Sequence, residues 1–498
     1  MTAQRTDPPG LGSLGSGAVT AAALAVQQGL AAVVGVVIAR EFGRSGETDG
    51  FFAAYGVFVV IALIATAARA VLLPPLARAR AERRLGGETT AYAVALSIVV
   101  VPLVAVSIFG ANAIAWLLTG FDEGVARDTA AATLPWLVVA AVGQLYAGLG
   151  ASALAALDDY RTAALGYALG SVLGLVFIVW RVGEDGMSAV AWGMALNAGV
   201  AVALPAFALV LRARSESMSP RSARPVGEGG GRRLGGIAAG VALPLALQAL
   251  YLVCLPFAAG EGVGTVTSLG YAYLAGAAVI AVTASALALV TSVPLTRTGL
   301  DAVRVARHVD SSAWLALIAV GGTAGLFAVA GEPLADAVLG NAYGGGVGEE
   351  LGHFVVALAP WMVVTVGVSA TFPLVFVAGR GGMLPLVAVL VLAVHLPLVW
   401  LGDTVAGVYG LALALAVSTG VALVAMLALL QATAPTLRGL GVASGTVGVI
   451  AAIAFLPAGL VLGPVPGAAI GIPAYVVLLV LARPAGLRNA WHYLRSLS

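Results

Sequence analysis

Long apolar runs alternate with short polar gaps from about residue 17 to residue 482. Each run approaches the roughly 20 residues that a helix needs to cross hydrocarbon. None alternates polar and apolar positions as the strands of a membrane barrel do. The pattern predicts fourteen crossing helices, at 17–39, 50–77, 90–117, 130–155, 162–181, 188–211, 236–259, 265–295, 313–331, 353–378, 384–401, 405–430, 441–462 and 465–482. Gly463-Pro464 marks the turn between the last two. The first run is long and shows no evident cleavage site, so it is expected to be a retained span rather than a signal peptide.

Charge orients these helices. All 25 basic residues are arginine, so arginine alone carries the positive-inside bias of short loops. With the N-terminus inside, the cytoplasmic gaps hold Arg78, Arg80, Arg83, Arg84, Arg161, Arg212, Arg214, Arg221, Arg224, Arg232, Arg233, Arg297, Arg304, Arg307, Arg380 and Arg438. The tail adds Arg483, Arg488 and Arg495. The other side receives only Arg40, Arg44, Arg127 and Arg181, together with the acidic pairs Asp122/Glu123, Glu184/Asp185 and Glu349/Glu350. Both termini are therefore expected in the cytoplasm. The arginine-only, alanine-rich usage fits a GC-rich bacterium, which makes this a multi-pass protein of the bacterial inner membrane. Composition agrees: 60% of residues are hydrophobic and 10% charged, against roughly 25% charged in a soluble domain. Nucleic acid is not an expected partner.

The gap at 212–235 is the longest and most polar, and reads as a flexible linker between two halves. The halves look alike. Leu134-Pro135-Trp136 opens span four, and Ala359-Pro360-Trp361 opens span ten at an offset of 225. Pro75-Leu76-Ala77-Arg78 and Pro294-Leu295-Thr296-Arg297 repeat at an offset of 219. Both offsets correspond to six spans. Six is even, so the repeats are parallel, related by an axis along the membrane normal. The expected fold is an all-α integral membrane protein with two pseudo-twofold six-helix lobes. The N-lobe is 1–211, the linker 212–235 and the C-lobe 236–431, and two further helices and a tail occupy 432–498.

This plan resembles the MOP superfamily of exporters and flippases, and within it the fourteen-span branch of MurJ-type lipid II flippases. Ala39-Arg40-Glu41-Phe42-Gly43 and Thr48-Asp49-Gly50-Phe51-Phe52-Ala53-Ala54 are similar to that branch's first hairpin. Gly264-Thr265-Val266-Thr267-Ser268-Leu269-Gly270-Tyr271-Ala272 is similar to the opening of its eighth span, and Leu157-Asp158-Asp159-Tyr160-Arg161 to a short cytoplasmic turn. The resemblance implies an alternating-access flippase. It also implies cavity arginines on spans one, two and eight, suited to a pyrophosphate. The corresponding places here hold Gln28 and Val34, the run from Val57 to Leu63, and Leu274. The outline of the machine is kept while its substrate grip is not.

Ionisable groups at mid-membrane are costly and usually functional. Arg69, in span two, either binds a substrate phosphate from the cavity or snorkels to the headgroups. His395, two residues before Pro397, either titrates during transport or stays neutral on a backbone group freed by that proline. Gln28, Gln144, Asn197 and Gln248 suit the lining of a sugar-binding cavity or simple bonds between helices. Tyr271 and Tyr273 suit ligand contact or an interfacial aromatic belt. Arg40, Glu41 and Asp49, with Arg44 and Glu47, crowd the first external turn; Asp158, Asp159 and Arg161 crowd an internal one. Each set fits an ion-paired gate or a solvated loop. Gly166, Gly170 and Gly174 space span five for close helix packing.

The single cysteine, Cys254, and the scattered His308, His353, His395 and His492 form no metal-ligand set. No nucleotide loop and no nucleophile beside a base is present, so neither an enzyme nor a cofactor is expected. The favoured reading is a flippase for a polyprenyl-linked glycolipid or a similar lipid-anchored envelope precursor. Its expected partners are that lipid-linked oligosaccharide, the bilayer lipids and envelope-synthesis proteins. The alternatives are a MATE-like ion-coupled exporter of small molecules and a non-transporting scaffold of envelope synthesis.

Overall fold

The computed structural model describes residues 29–121, 123–157, 159–215, 230–285, 301–482 and 484–497. Helix α1 covers 29–42. It is followed by α2 (Gly46–Ala81), α3 (Leu85–Phe109), α4 (Ala111–Leu118), α5 (Val125–Ala156), α6 (Tyr160–Asp185) and α7 (Met187–Ser215). Then come α8 (Gly230–Gly260), α9 (Thr265–Ile280), α10 (Ala302–Leu339), α11 (Gly346–Ala357), α12 (Ala359–Val377) and α13 (Leu384–Leu429). Last are α14 (Thr433–Leu462), α15 (Pro464–Ala482) and α16 (Ala485–Leu497). No strand occurs among the described residues.

Eleven helical stretches among the described residues are long and apolar enough to cross a membrane. Helices α1 and α2 occupy the first two predicted spans. One of the eleven counts twice. Helix α13 has 46 residues, about 70 Å at 1.5 Å per residue, more than twice a hydrocarbon core. It is broken at Ala406 (φ −143°) and Gly407 (φ +53°). Gly402 and Gly410 meet there backbone to backbone, so that a side chain on Gly410 would fall on the Gly402 carbonyl. The stretch is thus a hairpin of two crossing helices, and the chain is an all-α membrane protein of about fourteen crossings. Gly463 (φ +82°) separates α14 from α15. Several boundaries differ from the sequence expectation. The predicted span 90–117 is interrupted at Gly110, between α3 and α4, and the break in α13 falls inside the span predicted at 405–430. Helix α10 continues beyond both ends of the predicted span and bends at Ala330, three residues before Pro333. Span ten begins early, as α11, and restarts at α12 with Pro360 in the first turn, where the missing N–H of proline breaks no bond.

The chain divides into two compact units. The first comprises Met1–Glu41, Ala53–Leu118 and Asp122–Leu245, the second Phe42–Phe52, Thr119–Phe121 and Ala246–Ser498. In the first unit Leu72, Leu76, Leu85, Leu96, Leu149 and Val241 form an apolar core. Beside it α6 lies tightly on α7. A Cβ on Gly174 would stand 2.7 Å from the Gly193 carbonyl oxygen, and one on Gly170 2.7 Å from Asn197 Oδ1. In the second unit α14 and α15 pack on α10, where the Tyr475 hydroxyl donates to the Ile318 carbonyl at 2.9 Å. Large apolar side chains face outward in both, Phe109 at 90% exposure and Leu460 at 87% among them. Hydrocarbon is the medium that such a surface fits.

The glycine stripe gives a direct test. Gly174→Val is expected to destabilise the protein by about 1–3 kcal/mol through overpacking, read as a lowered melting temperature in detergent. Gly183→Ala, on the same helix with open space around it, should leave that temperature unchanged.

Candidate functional site

The densest polar cluster surrounds the turn between α1 and α2, and all of it belongs to the second unit. Gly43 (φ +60°) reverses the chain. Ser45 and Thr48 then cap α2 reciprocally: Ser45 N–H donates to Thr48 Oγ1 at 3.0 Å and Thr48 N–H to Ser45 Oγ at 3.3 Å. This is the geometry of a capping box. Thr48 Oγ1 also donates to the Gly43 carbonyl at 2.9 Å, which takes a second bond from the Tyr343 hydroxyl at 3.1 Å.

The turn so fixed aims two charges. Arg44 forms a two-pronged pair with Glu350, Nη1 to Oε2 at 2.9 Å and Nη2 to Oε1 at 3.0 Å. Asp49, only 7% exposed, points at the start of α9. It accepts from Thr267 N–H at 2.9 Å, from Thr267 Oγ1 at 2.6 Å and from Gly264 N–H. Those amides are among the four that a helix start leaves without intrahelical partners, and the helix dipole favours an anion there. Burial pushes the Asp49 carboxyl above its ordinary value, against the pull of the Thr267 and Gly264 donors and of Arg44. Burial also raises the Tyr343 phenol, which keeps its proton and serves as a donor. Gly264 (φ +88°) completes the fit, because any side chain there would occupy the Arg44 stem. Beneath lies an aromatic layer: Phe52 meets Tyr271 edge-on at 4.9 Å, and Tyr271 meets Tyr343 at 5.6 Å.

Other polar candidates of this unit sit apart from the turn. Tyr273 Oη donates to Gln248 Oε1 at 3.0 Å, leaving the buried Gln248 Nε2 without a partner. Tyr273 also stacks on Tyr251 at 4.1 Å and leans on Trp361 at 4.8 Å. His395 is fully buried. Its Nε2 lies 2.9 Å from the Leu250 carbonyl and 3.8 Å from Cys254 Sγ, and its Nδ1 2.9 Å from Ser418 Oγ. The carbonyl can only accept, so Nε2 carries the proton in the neutral ring and Nδ1 takes the serine hydroxyl. The backbone partner is on α8, not a group freed by Pro397. The same unit holds an apolar groove of about 300 Å³ among α10, α12 and α14, lined by Val320, Ala324, Val363, Val447, Ala451 and Phe455.

In the first unit Asn197 is wedged against Gly170 and Gly174, and Gln144 is half-buried on α5. Asp159 caps α6 through Thr162 N–H at 3.1 Å and Thr162 Oγ1 at 2.7 Å, and pairs with Arg212 at 2.6 Å. Arg40, Glu41 and Arg161 are exposed. Gln28, Asp158 and the Arg69 side chain lie outside the described residues. Of the sequence candidates the structure thus brings together Asp49 with Arg44, near Tyr271 through Tyr343, and Gln248 with Tyr273. It adds Glu350, Tyr343 and Thr267. No group of metal-ligating side chains occurs among the described residues.

No family profile matches the chain, and no curated protein does. Solved structures do. One is the lipid II flippase MurJ in an inward closed conformation, with TM-score 0.68 at 13% identity over 93% of this chain and 98% of that chain. A second is an inward-facing MATE multidrug-resistance transporter of the MOP superfamily, with TM-score 0.61 at 18% identity over 83% of this chain and 98% of that one. A eukaryotic MATE transporter follows at 0.53 and 16%, over 87% and 97%. The chain has the fold of MOP-superfamily transporters.

Substitutions at the turn should separate its parts. Asp49→Ala is expected to cost about 0.5–2 kcal/mol as a lost helix cap, seen as a lower melting temperature. Gly264→Ala should displace Arg44. A double-mutant cycle on Arg44→Gln and Glu350→Gln, which should couple by about 1 kcal/mol, is expected to lose that coupling in the Gly264→Ala background.

Proposed function

From the fold shared with MOP-superfamily transporters, we propose that this protein is an alternating-access flippase. Its substrate is a polyprenyl-linked glycolipid or another lipid-anchored envelope precursor, carried across the bacterial inner membrane. The observation that carries the lipid part of this reading is the apolar groove on α10, α12 and α14. Its lining offers no charge and only the Ser444 hydroxyl as a polar side chain, which suits a hydrocarbon tail that stays in the bilayer while a headgroup crosses. The likeness to a lipid II flippase supports the same class of substrate. The site that carries the gating part is the Phe42–Phe52 turn. Within the second unit it is held by Asp49 and Arg44. The Arg44–Glu350 pair contributes about 1 kcal/mol, enough to bias one state and weak enough to be exchanged for another. Gln248 and Tyr273 supply the amide and phenol that a sugar would meet, and Arg69 the guanidinium that a phosphate would meet.

The likeness to MATE transporters favours a second reading, an exporter of small molecules. Such a pump binds its cargo in water-filled space and has no use for a hydrocarbon groove.

Reconstitution decides between them. Proteoliposomes of the wild type are expected to transfer a labelled polyprenyl-linked oligosaccharide between leaflets. Ala451→Trp, which fills the groove, should slow transfer roughly tenfold, about 1.4 kcal/mol on the barrier. Uptake of small cations without lipid transfer would instead establish the exporter. Equal transfer by Arg69→Ala would remove Arg69 from the mechanism.

A further inference from the structure

Helix α16 follows the last crossing helix at once. Helix α15 ends at Ala482 and α16 begins at Ala485, three Cα steps later, about 11 Å at full stretch. The headgroup layer on each side of the hydrocarbon is roughly 5–8 Å thick, so α16 starts within or just beside it. Two sides of the helix differ. Gly486 presses on the Trp314 indole so closely that a Cβ would overlap the ring. Ala490, one turn on, is fully buried. This small-residue edge fixes the rotation of α16 on α10. The opposite edge carries Arg488, Trp491 and His492, all exposed, Trp491 at 52%. A tryptophan half in the open beside an arginine three residues away is the pairing that membrane interfaces favour, an amphipathic ring at headgroup depth and a cation among phosphates.

The part of the sequence that leads to this edge carries charge of one sign. Beyond Asp403 the sequence holds no aspartate or glutamate, and its ionisable cations are Arg438, Arg483, Arg488 and Arg495. Among the described residues Arg488 has no ion-pair partner. We propose that the Arg488–Trp491–His492 edge of α16 is a lipid-binding surface that seats in the headgroup layer and selects anionic phospholipid. It anchors the end of the chain and thereby the N-terminal half of α10, on which α16 is docked. The proposal requires only that the chain spans a membrane, and it stands or falls separately from the flippase reading.

The test uses the full-length protein. Cys254 is buried, so Trp491→Cys provides one reactive thiol for an environment-sensitive fluorophore. In nanodiscs of phosphatidylcholine with added phosphatidylglycerol, the emission should be blue-shifted and shielded from aqueous iodide. In pure phosphatidylcholine discs the shift should be smaller. Native mass spectrometry of the protein without the label should show retained phosphatidylglycerol. Arg488→Gln should lower that preference about fivefold, the factor for roughly 1 kcal/mol per basic residue near an anionic surface, and Arg488→Lys should keep it. Equal iodide quenching in both discs would overturn the proposal and leave the edge to a protein partner. Equal shielding in both, with no phosphatidylglycerol retained, would overturn the selection of anionic lipid.

Discussion

Hydrocarbon offers a peptide group nothing to bond to, and most of this structure follows from that. The backbone answers with helices that satisfy themselves. The helices answer with glycine where they must touch, because apolar side chains gain nothing by leaving lipid for one another. Gly174 against Gly193 and Gly402 against Gly410 are places where two backbones meet with no side chain between them. Polar side chains inside obey the same rule. His395 finds partners on two other helical segments, one for each ring nitrogen. Tyr475 reaches a backbone carbonyl of α10. These bonds fix which helices are neighbours as much as they stabilise them.

Helix α9 shows the constraint at a helix end. Its first residues, Thr265 and Thr267, are buried; Thr265 N–H reaches the Gly262 carbonyl, and water cannot serve the Thr267 amide. The residue before them is Gly264, which has no side chain to cap with. The acceptor comes instead from Asp49, 215 residues earlier in the chain. The glycine that cannot cap is the same one that leaves room for Arg44. One position therefore does two things: it makes the borrowed carboxylate necessary and lets the borrowed guanidinium lie flat toward Glu350. A side chain at 264 would break both.

Local regularities made the crossings legible in the sequence. Apolar length gave the fourteen spans, and Gly407 and Gly463 lie at turns because each adopts a positive φ. The ends were less legible where proline intervened: Pro333 and Pro360 changed where helices bend and restart, not whether they form. Asp159, expected in an ion-paired gate or a solvated turn, proves to cap α6 through Thr162. Its partner Arg212, 53 residues on, was not legible. The Arg44–Glu350 pair spans 306 residues, and no period or motif in a single sequence points across such a distance. The usable signal was indirect. A glycine stands before Thr265 where a serine, threonine or aspartate normally caps, which says that the cap must arrive from elsewhere, and Asp49 is the first aspartate after the first predicted span.

The second unit keeps its polar and apolar chemistry apart, and this bears on what it can carry. At the Gly43–Asp49 turn Arg44, Asp49 and Glu350 answer one another and the helix start, while further charges such as Asp301, Arg304 and Arg488 stand elsewhere. Its groove is lined almost wholly by carbon. A soluble cation needs a buried anion to replace its water, since burying an ion unpaired costs far more than such a site returns. The one deeply buried carboxylate described here, Asp49, already faces three donors and an arginine. On the proposed reading the lipid makes no such demand on the groove, because its tail never leaves hydrocarbon, while its sugar would meet neutral groups such as Gln248 and Tyr273. On that reading the groove suits the tail of a lipid-anchored cargo, which brings no charge into it.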